Sequence, residues 1–288
     1  MRAVIVGAAG QLGRALVASA PRDGTCIALT SADLDIADRS RVDAVIDAHR
    51  PDVILNAAAY TAVDAAEQDR ERAHAVNAAG PAHLARAARA CGARLVHVST
   101  DYVFDGRASR PYRPDDATAP LNVYGATKRA GEVGALEAHA DVLVVRTSWV
   151  YGARGRNFVH TMLRLMHERG AVRVVADQVG APTWTGSLAS LVWAAAGRGD
   201  ISGIAHWCDA GVASWYDFAV AIAEEGVAAR RLATMPAVEP IDTAAFPQAA
   251  RRPGFSLLDV GDLPARLGVP RAHWRASLRS MLAEPTDG

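Results

Sequence analysis

A short apolar run, Arg2-Ala-Val-Ile-Val6, ends on a glycine-spaced turn, Gly7-Ala-Ala-Gly10-Gln-Leu-Gly13. This opening constrains the fold more than any other feature of the chain. A run so short and so apolar suits a strand buried on both faces of a parallel sheet. A glycine-rich turn leading from it into a helix lets backbone N–H groups approach an anion at the helix N-terminus. The spacing is GxxGxxG and departs from the GxGxxG dinucleotide fingerprint. By itself it is therefore also compatible with a plain strand–helix turn.

The alternation that begins there continues. Arg14 to Ser19 reads as helix, Thr25 to Thr30 as strand, the stretch with Val42, Val45 and Ile46 as helix, and Asp52 to Asn56 as a strand entered through Pro51. Asp64 to Cys91 is alanine-rich and helical in propensity, although Gly80-Pro81 must break or kink it. Arg94 to Ser99 is the next strand, then a long proline-rich loop reaches Pro120, followed by a helix over Val123 to His139 and a strand over Asp141 to Thr147. Strands alternating with helices predict an α/β fold, a Rossmann-type doubly wound parallel sheet. Residues 1–150 are expected to form the dinucleotide-binding domain. Residues 151–288 are expected to form mainly a smaller substrate-binding region over the carboxyl ends of the strands, with the segment about 181–209 returning to the first domain. In that region Phe158 to Glu168, Thr185 to Ala196 and Trp215 to Glu225 read as helices, the last capped by Ser214 with Asp217 three residues on. Val172 to Val175 and Ile204 to Cys208 read as strands, and Ala229 to Pro253 as mostly irregular.

Half of the 288 residues are hydrophobic and 22% are charged, a composition that buries a sizeable core. Thirty-one basic residues balance 31 acidic ones, which gives no electrostatic reason for a nucleic-acid or membrane partner. The first apolar run is too short for a signal peptide or a membrane span. The three cysteines, Cys26, Cys91 and Cys208, are widely spaced and odd in number, so they read as reduced thiols and point to the cytoplasm. The nine histidines have no metal-ligand spacing, His97 reads as a core residue, and Glu224-Glu225 as a solvated helix end. No Ser/His/Asp or Cys/His arrangement supports nucleophilic hydrolysis.

The sharpest chemical feature is Tyr124-Gly-Ala-Thr-Lys128. Positions four apart on a helix share a face, so phenol and ammonium can enter one cleft. An ordinary tyrosine, with a pKa of about 10, is a poor acid–base catalyst near neutrality. A nearby cation favours the phenolate, and Lys128 is expected to lower that pKa. Ser99-Thr100-Asp101 closes the preceding strand, where a Thr100 hydroxyl could bond the same carbonyl oxygen. Asn56-Ala-Ala-Ala59 ends an earlier strand with small residues that let backbone run beside a dinucleotide. Each feature alone has a bland alternative: a surface Tyr/Lys pair, a strand-end cap, close packing of alanines. Their order along the chain, each at a strand end or helix start, makes chance agreement improbable.

Taken together these motifs resemble the extended short-chain dehydrogenase/reductases and, more narrowly, the dTDP-4-dehydrorhamnose reductases. The resemblance spans nearly the whole length. It rests on GAAGQLG at Gly7, RPDVILNAAAYTAVDAAE from Arg50, STDYVFDG from Ser99, PLNVYGATK from Pro120, RTSWVYG from Arg146, DQVGAPT from Asp177 and RRPGFSLL from Arg251. It implies NAD(P)H-dependent reduction of the C4 ketone of dTDP-4-dehydro-6-deoxy-L-mannose to dTDP-L-rhamnose. It implies Tyr124 as proton donor, Lys128 on the nicotinamide ribose and Thr100 completing the catalytic set. Gly7, Gly10, Gln11, Leu12 and Gly13 would hold the pyrophosphate, Asp35 and Ile36 would meet the adenine, and Ala59, Tyr60 and Thr61 would line the cofactor. Thr100, Asp101 and Trp149 match positions at the sugar, with Asn157, Gln178 and Arg252 as further contacts.

Two departures qualify the resemblance. The second strand ends in Thr30-Ser31, where an Asp would grip the 2′-hydroxyl of NADH, so NADPH is expected, with NADH tolerated. Ala15 stands where some relatives carry an acidic residue for a metal at a dimer contact, so no metal is expected and the oligomer stays open between monomer and homodimer. Competing readings are a reductase of another NDP-4-ketosugar, a non-catalytic dinucleotide-binding regulatory subunit, and an epimerase with tightly held NAD.

Overall fold

The computed structural model describes residues 1–284. Its first half is the alternation that the sequence anticipates. Strand β1 (Arg2–Val6) leads through the glycine turn into α1 (Gln11–Ala18). The helix starts three residues earlier than Arg14 because Gly10 takes an extended N-cap geometry, φ −73° and ψ 171°. Gln11, Leu12 and Gly13 therefore occupy its first turn. Next come β2 (Thr25–Leu29), α2 (Arg39–His49) and β3 (Val53–Asn56). The Asp38 side chain caps α2 by accepting from the Arg41 amide.

The alanine-rich stretch divides into α3 (Val63–Ala66), α4 (Arg70–His74), a π turn (Ala75–Ala79) and α5 (Gly80–Cys91). Pro81 has no N–H to close the ladder onto Asn77, and the widened turn absorbs that missing bond. Strand β4 (Arg94–Thr100) runs into a 3₁₀ turn at Asp101–Val103. Helix α6 (Val123–Ala138) is capped by Asn122, whose side chain accepts from the Gly125 amide at 2.8 Å. The Asn77 carbonyl lies where a Cβ on Gly131 of α6 would sit, so the π turn and α6 meet backbone to backbone.

After β5 (Leu143–Thr147) come β6 (Val150–Tyr151), α7 (Phe158–Arg169), β7 (Ala171–Val175), β8 (Val179–Gly180), β9 (Thr183–Trp184) and α8 (Thr185–Ala196). Then follow β10 (Gly203–His206), β11 (Ala213–Ser214), α9 (Trp215–Ala228), β12 (Ala237–Ile241), α10 (Leu263–Leu267) and α11 (Trp274–Ala283). The main sheet has six parallel strands in the order β10-β5-β4-β3-β1-β2. With β1 between β2 and β3, the chain first winds one way and then the other. The carboxyl ends of β1 and β3 thus flank the crevice where open α/β sheets bind ligands.

Alternation in β1 serves both faces. Ala3 and Ile5 pack with Leu12, Leu16, Leu188 and Val192 of α1 and α8. Val4 and Val6 pack with Val42, Ile46, Leu84 and Ala135 of α2, α5 and α6. A separate core of Val159, Met162, Met166, Phe218, Ile222 and Leu278 joins α7, α9 and α11. Among the described residues no helix is long and apolar enough to cross a membrane.

Two local expectations need correction. The stretch read as irregular contains β12, which pairs in parallel with β7; the polar Glu239 and Pro240 hide it, and only a two-stranded ribbon tolerates a proline there. Of Glu224-Glu225 only the first is solvated: Glu225 is buried between Arg275 and Arg279, because α11 packs alongside α9, while Glu224 stays exposed and pairs with Arg275. The Ser214–Asp217 capping box, by contrast, is complete in both directions.

The contact between the π turn and α6 is testable. Gly131→Ala forces a methyl group onto the Asn77 carbonyl and should lower stability by about 1–3 kcal/mol. Gly197→Ala, at φ −86° with nothing within 4 Å, should change it by less than about 1 kcal/mol. Thermal denaturation of both variants against the parent reads the difference.

Candidate active site

The glycine turn is shaped by backbone contact. Gly7 has φ +83°, and a Cβ there would stand 2.6 Å from the Ala58 amide nitrogen, so the loop crosses directly over the chain leaving β3. A side chain on Gly13 would overlap the Gly7 carbonyl. At Gly10 a Cβ would come only within 3.3 Å of the Gly7 carbonyl, and no side chain caps the first turn of α1. The Leu12 side chain is buried in the core, which leaves its amide for any ligand. Gln11 Oε1 accepts from the Asn157 side-chain Nδ2 at 3.0 Å, tying the loop to the start of α7. These features fit a pyrophosphate on the helix N-terminus.

Farther along the crevice, Asp35 is held by Arg72 at 3.0 Å, and that hydrogen bond, with the Ala37 amide, keeps its carboxyl below the usual range. Ile36 is buried against Gly80. The carboxylate missing from Thr30-Ser31 arrives at Asp33, whose oxygen accepts from the Thr30 amide at 2.9 Å and the Thr30 hydroxyl at 2.7 Å. Ala59, Tyr60 and Thr61 follow β3, and Asn77 clamps Tyr60 from both sides: its Oδ1 accepts from the Tyr60 amide at 2.8 Å and its Nδ2 donates to the Tyr60 carbonyl at 3.0 Å. Asn77 was not anticipated; its signal was a lone amide in an alanine run.

The sheet and α6 bring Thr100, Asp101, Tyr124 and Lys128 together at the carboxyl end of β4. Lys128 is buried and donates to the Val98 carbonyl at 2.7 Å. Burial pulls its pKa down to about 8, against the opposing pull of Glu132. Thr100 donates to Asp101 Oδ1 at 3.1 Å and accepts from the Tyr102 amide at 3.2 Å. Burial pushes the Asp101 carboxyl up to about 7, against hydrogen bonds from Ser256 and Thr100, and its Oδ2 finds no partner among the described residues. Tyr124 stands edge-on to Tyr102, ring centroids 5.7 Å apart.

The expected lowering of the Tyr124 pKa by Lys128 is overturned. Burial raises it well above the ordinary tyrosine value; the Thr100 hydroxyl pulls the other way, and the Asp101 charge adds to the rise. Desolvation of the phenolate sets the direction, so the fold holds Tyr124 protonated. His97 is likewise kept neutral by burial, and then by the Lys128 charge. Asn56 Oδ1 accepts from the Ala58 amide, so its Nδ2 faces His97 Nδ1 at 2.9 Å, and Nε2 carries the ring proton.

One turn beyond Lys128, Glu132 shares the helix face of Tyr124 and Lys128. It is fully buried, accepts from the Ser99 hydroxyl at 2.6 Å, and is gripped by Arg146 at 2.8 and 2.7 Å. Extending the four-residue spacing of Tyr124 and Lys128 once more would have found it.

Trp149 follows β5 with φ +48°, a conformation costly for a bulky residue. Its ring stacks on Trp215 at 3.7 Å and 6°, and its edge lies against Gly180, where a Cβ would approach within 2.9 Å. Trp215 also lines a cavity of about 870 Å³ together with Tyr102, Phe158, Gln178, Phe246 and Arg252. Arg252 pairs with Asp64 at 2.7 Å and donates to the Tyr102 hydroxyl at 3.3 Å. Gln178 donates to Thr243 at 3.0 Å. Nothing local in the sequence marks Trp215; only the fold brings it to Trp149.

A doubly wound sheet with a glycine loop at its crevice, a YxxxK helix and a Thr-ended strand beside it defines the extended short-chain dehydrogenase/reductase class. The family described as RmlD substrate binding domain matches residues 1–286. The dTDP-4-dehydrorhamnose reductase of Mycobacterium tuberculosis is 44% identical over 293 residues, covering 99% of this chain and 94% of its own. A probable dTDP-4,6-dihydroxy-2-methyloxan-3-one 4-ketoreductase of Streptomyces antibioticus is 43% identical, covering 97% and 94%. The crystal structure of the Bacillus anthracis dTDP-4-dehydrorhamnose reductase in complex with NADP superposes with a TM-score of 0.91 at 37% identity, covering 99% of each chain. The chain belongs to the dTDP-4-dehydrorhamnose reductase family.

Asp101 gives this site a signature in stability. Below the unfolded pKa of 3.8 both states carry the proton; between there and about 7 the unfolded chain ionises while the fold keeps it, so this group makes stability fall as pH rises through that window. Asp101→Asn should gain on the parent by up to about 1.4 kcal/mol per pH unit there and level off above it. Urea unfolding at pH 4.5, 6 and 8 measures this, and a pH-independent difference would contradict it.

Proposed function

We propose that the chain reduces the C4 ketone of dTDP-4-dehydro-6-deoxy-L-mannose to give dTDP-L-rhamnose, using NADPH and tolerating NADH. The observation that carries this reading is the gathering of Thr100, Asp101, Tyr124 and Lys128 beside the glycine-loop crevice. When bound, the reduced nicotinamide supplies a hydride. Gln11, Leu12 and Gly13 hold the pyrophosphate through the first-turn amides of α1. Gly7 and Gly10, whose own amides donate to the Leu29 and Gly7 carbonyls, shape the turn that lets it approach. Asp35 and Ile36 meet the adenine side, and Ala59, Tyr60 and Thr61 line the path between. Lys128 spends one N–H on Val98 and turns the others to the nicotinamide ribose. NADPH is favoured because Asp33, the acidic group at the end of β2, is folded back onto Thr30, and a close relative was crystallised with NADP.

Thr100 orients and polarises the substrate carbonyl, and Tyr124 donates the proton to its oxygen as hydride reaches the carbon. Together they convert ketone to alcohol, and the phenolate left behind regains its proton from solvent. Tyr124 carries the proton a reduction needs; its raised pKa makes it a weak acid, but the alkoxide that forms as hydride arrives is a stronger base than the phenolate and draws the proton off. Thr100, Asp101 and Trp149 meet the sugar. The aromatic cavity beside them takes the nucleotide, with Arg252 and Gln178 on its polar side and Asn157 joining it to the cofactor loop. We further propose that residues 1–150 with the returning segment about 181–209 form the dinucleotide-binding domain, that 151–288 supply mainly the substrate-binding region, and that the enzyme works in the cytoplasm as a monomer or homodimer.

A second reading, reduction of a different NDP-4-ketosugar, is favoured by the comparable identity to the Streptomyces antibioticus ketoreductase. Turnover against a panel of 4-ketosugar nucleotides separates the two. In the primary assay, NADPH oxidation should depend on both protein and dTDP-4-dehydro-6-deoxy-L-mannose. Tyr124→Phe should lower kcat by about 10²- to 10⁴-fold while NADPH still binds, and Lys128→Met should weaken NADPH binding as well. Full activity in Tyr124→Phe would remove the acid assigned here.

A further inference from the structure

We infer that Glu132, clamped by Arg146, is a positioning residue that fixes the distance between the Tyr124–Lys128 face of α6 and Thr100 at the end of β4. The inference rests on the catalytic roles proposed above. Its basis is the placement of one buried ion pair. Glu132 lies one helical turn past Lys128 and is wholly buried, and Arg146 is 1% exposed. Arg146 grips Glu132 with Nε at 2.8 Å and a terminal nitrogen at 2.7 Å, the two-pronged geometry that gives direction as well as attraction. Ser99, the residue before Thr100, donates to the same carboxylate at 2.6 Å. Ser99 and Arg146 are themselves paired across β4 and β5. One carboxylate therefore ties α6 to two adjacent strands at the level of the reacting groups.

The outer side of the clamp is anchored too. Arg146 donates to the Pro114 carbonyl at 3.3 Å and lies over the Phe104 ring at 5.0 Å. Arg129 reaches Glu132 at 3.4 Å. Such an arrangement is a poor way to gain stability, since two buried charges lose about as much hydration as their attraction returns. It is a good way to hold one register, because the fork closes in only one helix position.

The test replaces the pair with apolar groups of similar volume, Glu132→Leu with Arg146→Met, in the full-length enzyme. The melting temperature should stay near that of the parent, kcat should fall about 10- to 100-fold from misplacement of the acid, and the sugar KM should change by less than about threefold. In a Tyr124→Phe background the same double replacement should cost little further, because both changes act through one proton donor. A folded double variant with parental kcat overturns the inference, and so does a loss that multiplies fully with that of Tyr124→Phe. Should the double variant fail to fold, Arg146→Lys keeps the charge and loses the fork. It should fold and lose at least about tenfold in kcat, and parental kcat in it also overturns the inference. If Tyr124→Phe is itself fully active, the functional reading has failed instead.

Discussion

Close approach of backbone to backbone is the constraint on which the rest of this structure depends. The glycine turn can cross the chain leaving β3 only because Gly7 and Gly13 have no side chains. Helix α6 meets its neighbours in the same way. Its first turn lies against the Tyr102 carbonyl at Gly125, and its middle lies against the Asn77 carbonyl at Gly131. Those contacts bring the face that carries Tyr124 and Lys128 down onto the end of β4. The π turn before Pro81 belongs to the same fit, since Asn77 from that turn clamps Tyr60 beside the crevice while its carbonyl receives Gly131.

Burial sets the electrostatics that follow. A helix pressed so closely to the sheet leaves little water around its polar face, and each ionisable group there moves toward its neutral form: Asp101 and Tyr124 upward, Lys128 and His97 downward. Charge survives in that dry layer where a partner meets it with good geometry, as Arg146 meets Glu132. The result keeps Tyr124 protonated, the form that the proposed proton donation requires.

The strands and helices of the main sheet were legible because a buried parallel strand and an amphipathic helix each leave a local pattern, and Ile5, Val42 or Val145 declare themselves in windows of a few residues. Thr100, Tyr124 and Lys128 were legible for a related reason, since all lie at strand ends or on one helix face. Glu239 and Pro240 concealed β12, whose pairing with β7 depends on a partner more than sixty residues away. Trp215 and Arg146 were invisible as site residues because their significance is entirely tertiary. The Tyr124 shift runs opposite to what the spacing suggests for the same reason: sequence shows the cation four residues away but not the loss of water around the phenol.

Trp149 shows how the two parts of the crevice are joined. A bulky residue in the left-handed region costs about 1–3 kcal/mol and persists only when its surroundings over-determine it. Here the surroundings are Trp215 on one face and Gly180 at the edge, and both are placed by a single ribbon. Strands β8 and β11 pair Gly180 with Ala213 and Val179 with Ser214, and Ser214 caps the helix that begins at Trp215. Moving that ribbon would release the indole stack and reshape the cavity wall that Trp215 lines without touching the glycine loop, β4 or α6. The sheet and α6 fix Thr100, Tyr124 and Lys128, whereas the ribbon and the helix it caps fix the stacked indoles, so the two are held by separate parts of the fold.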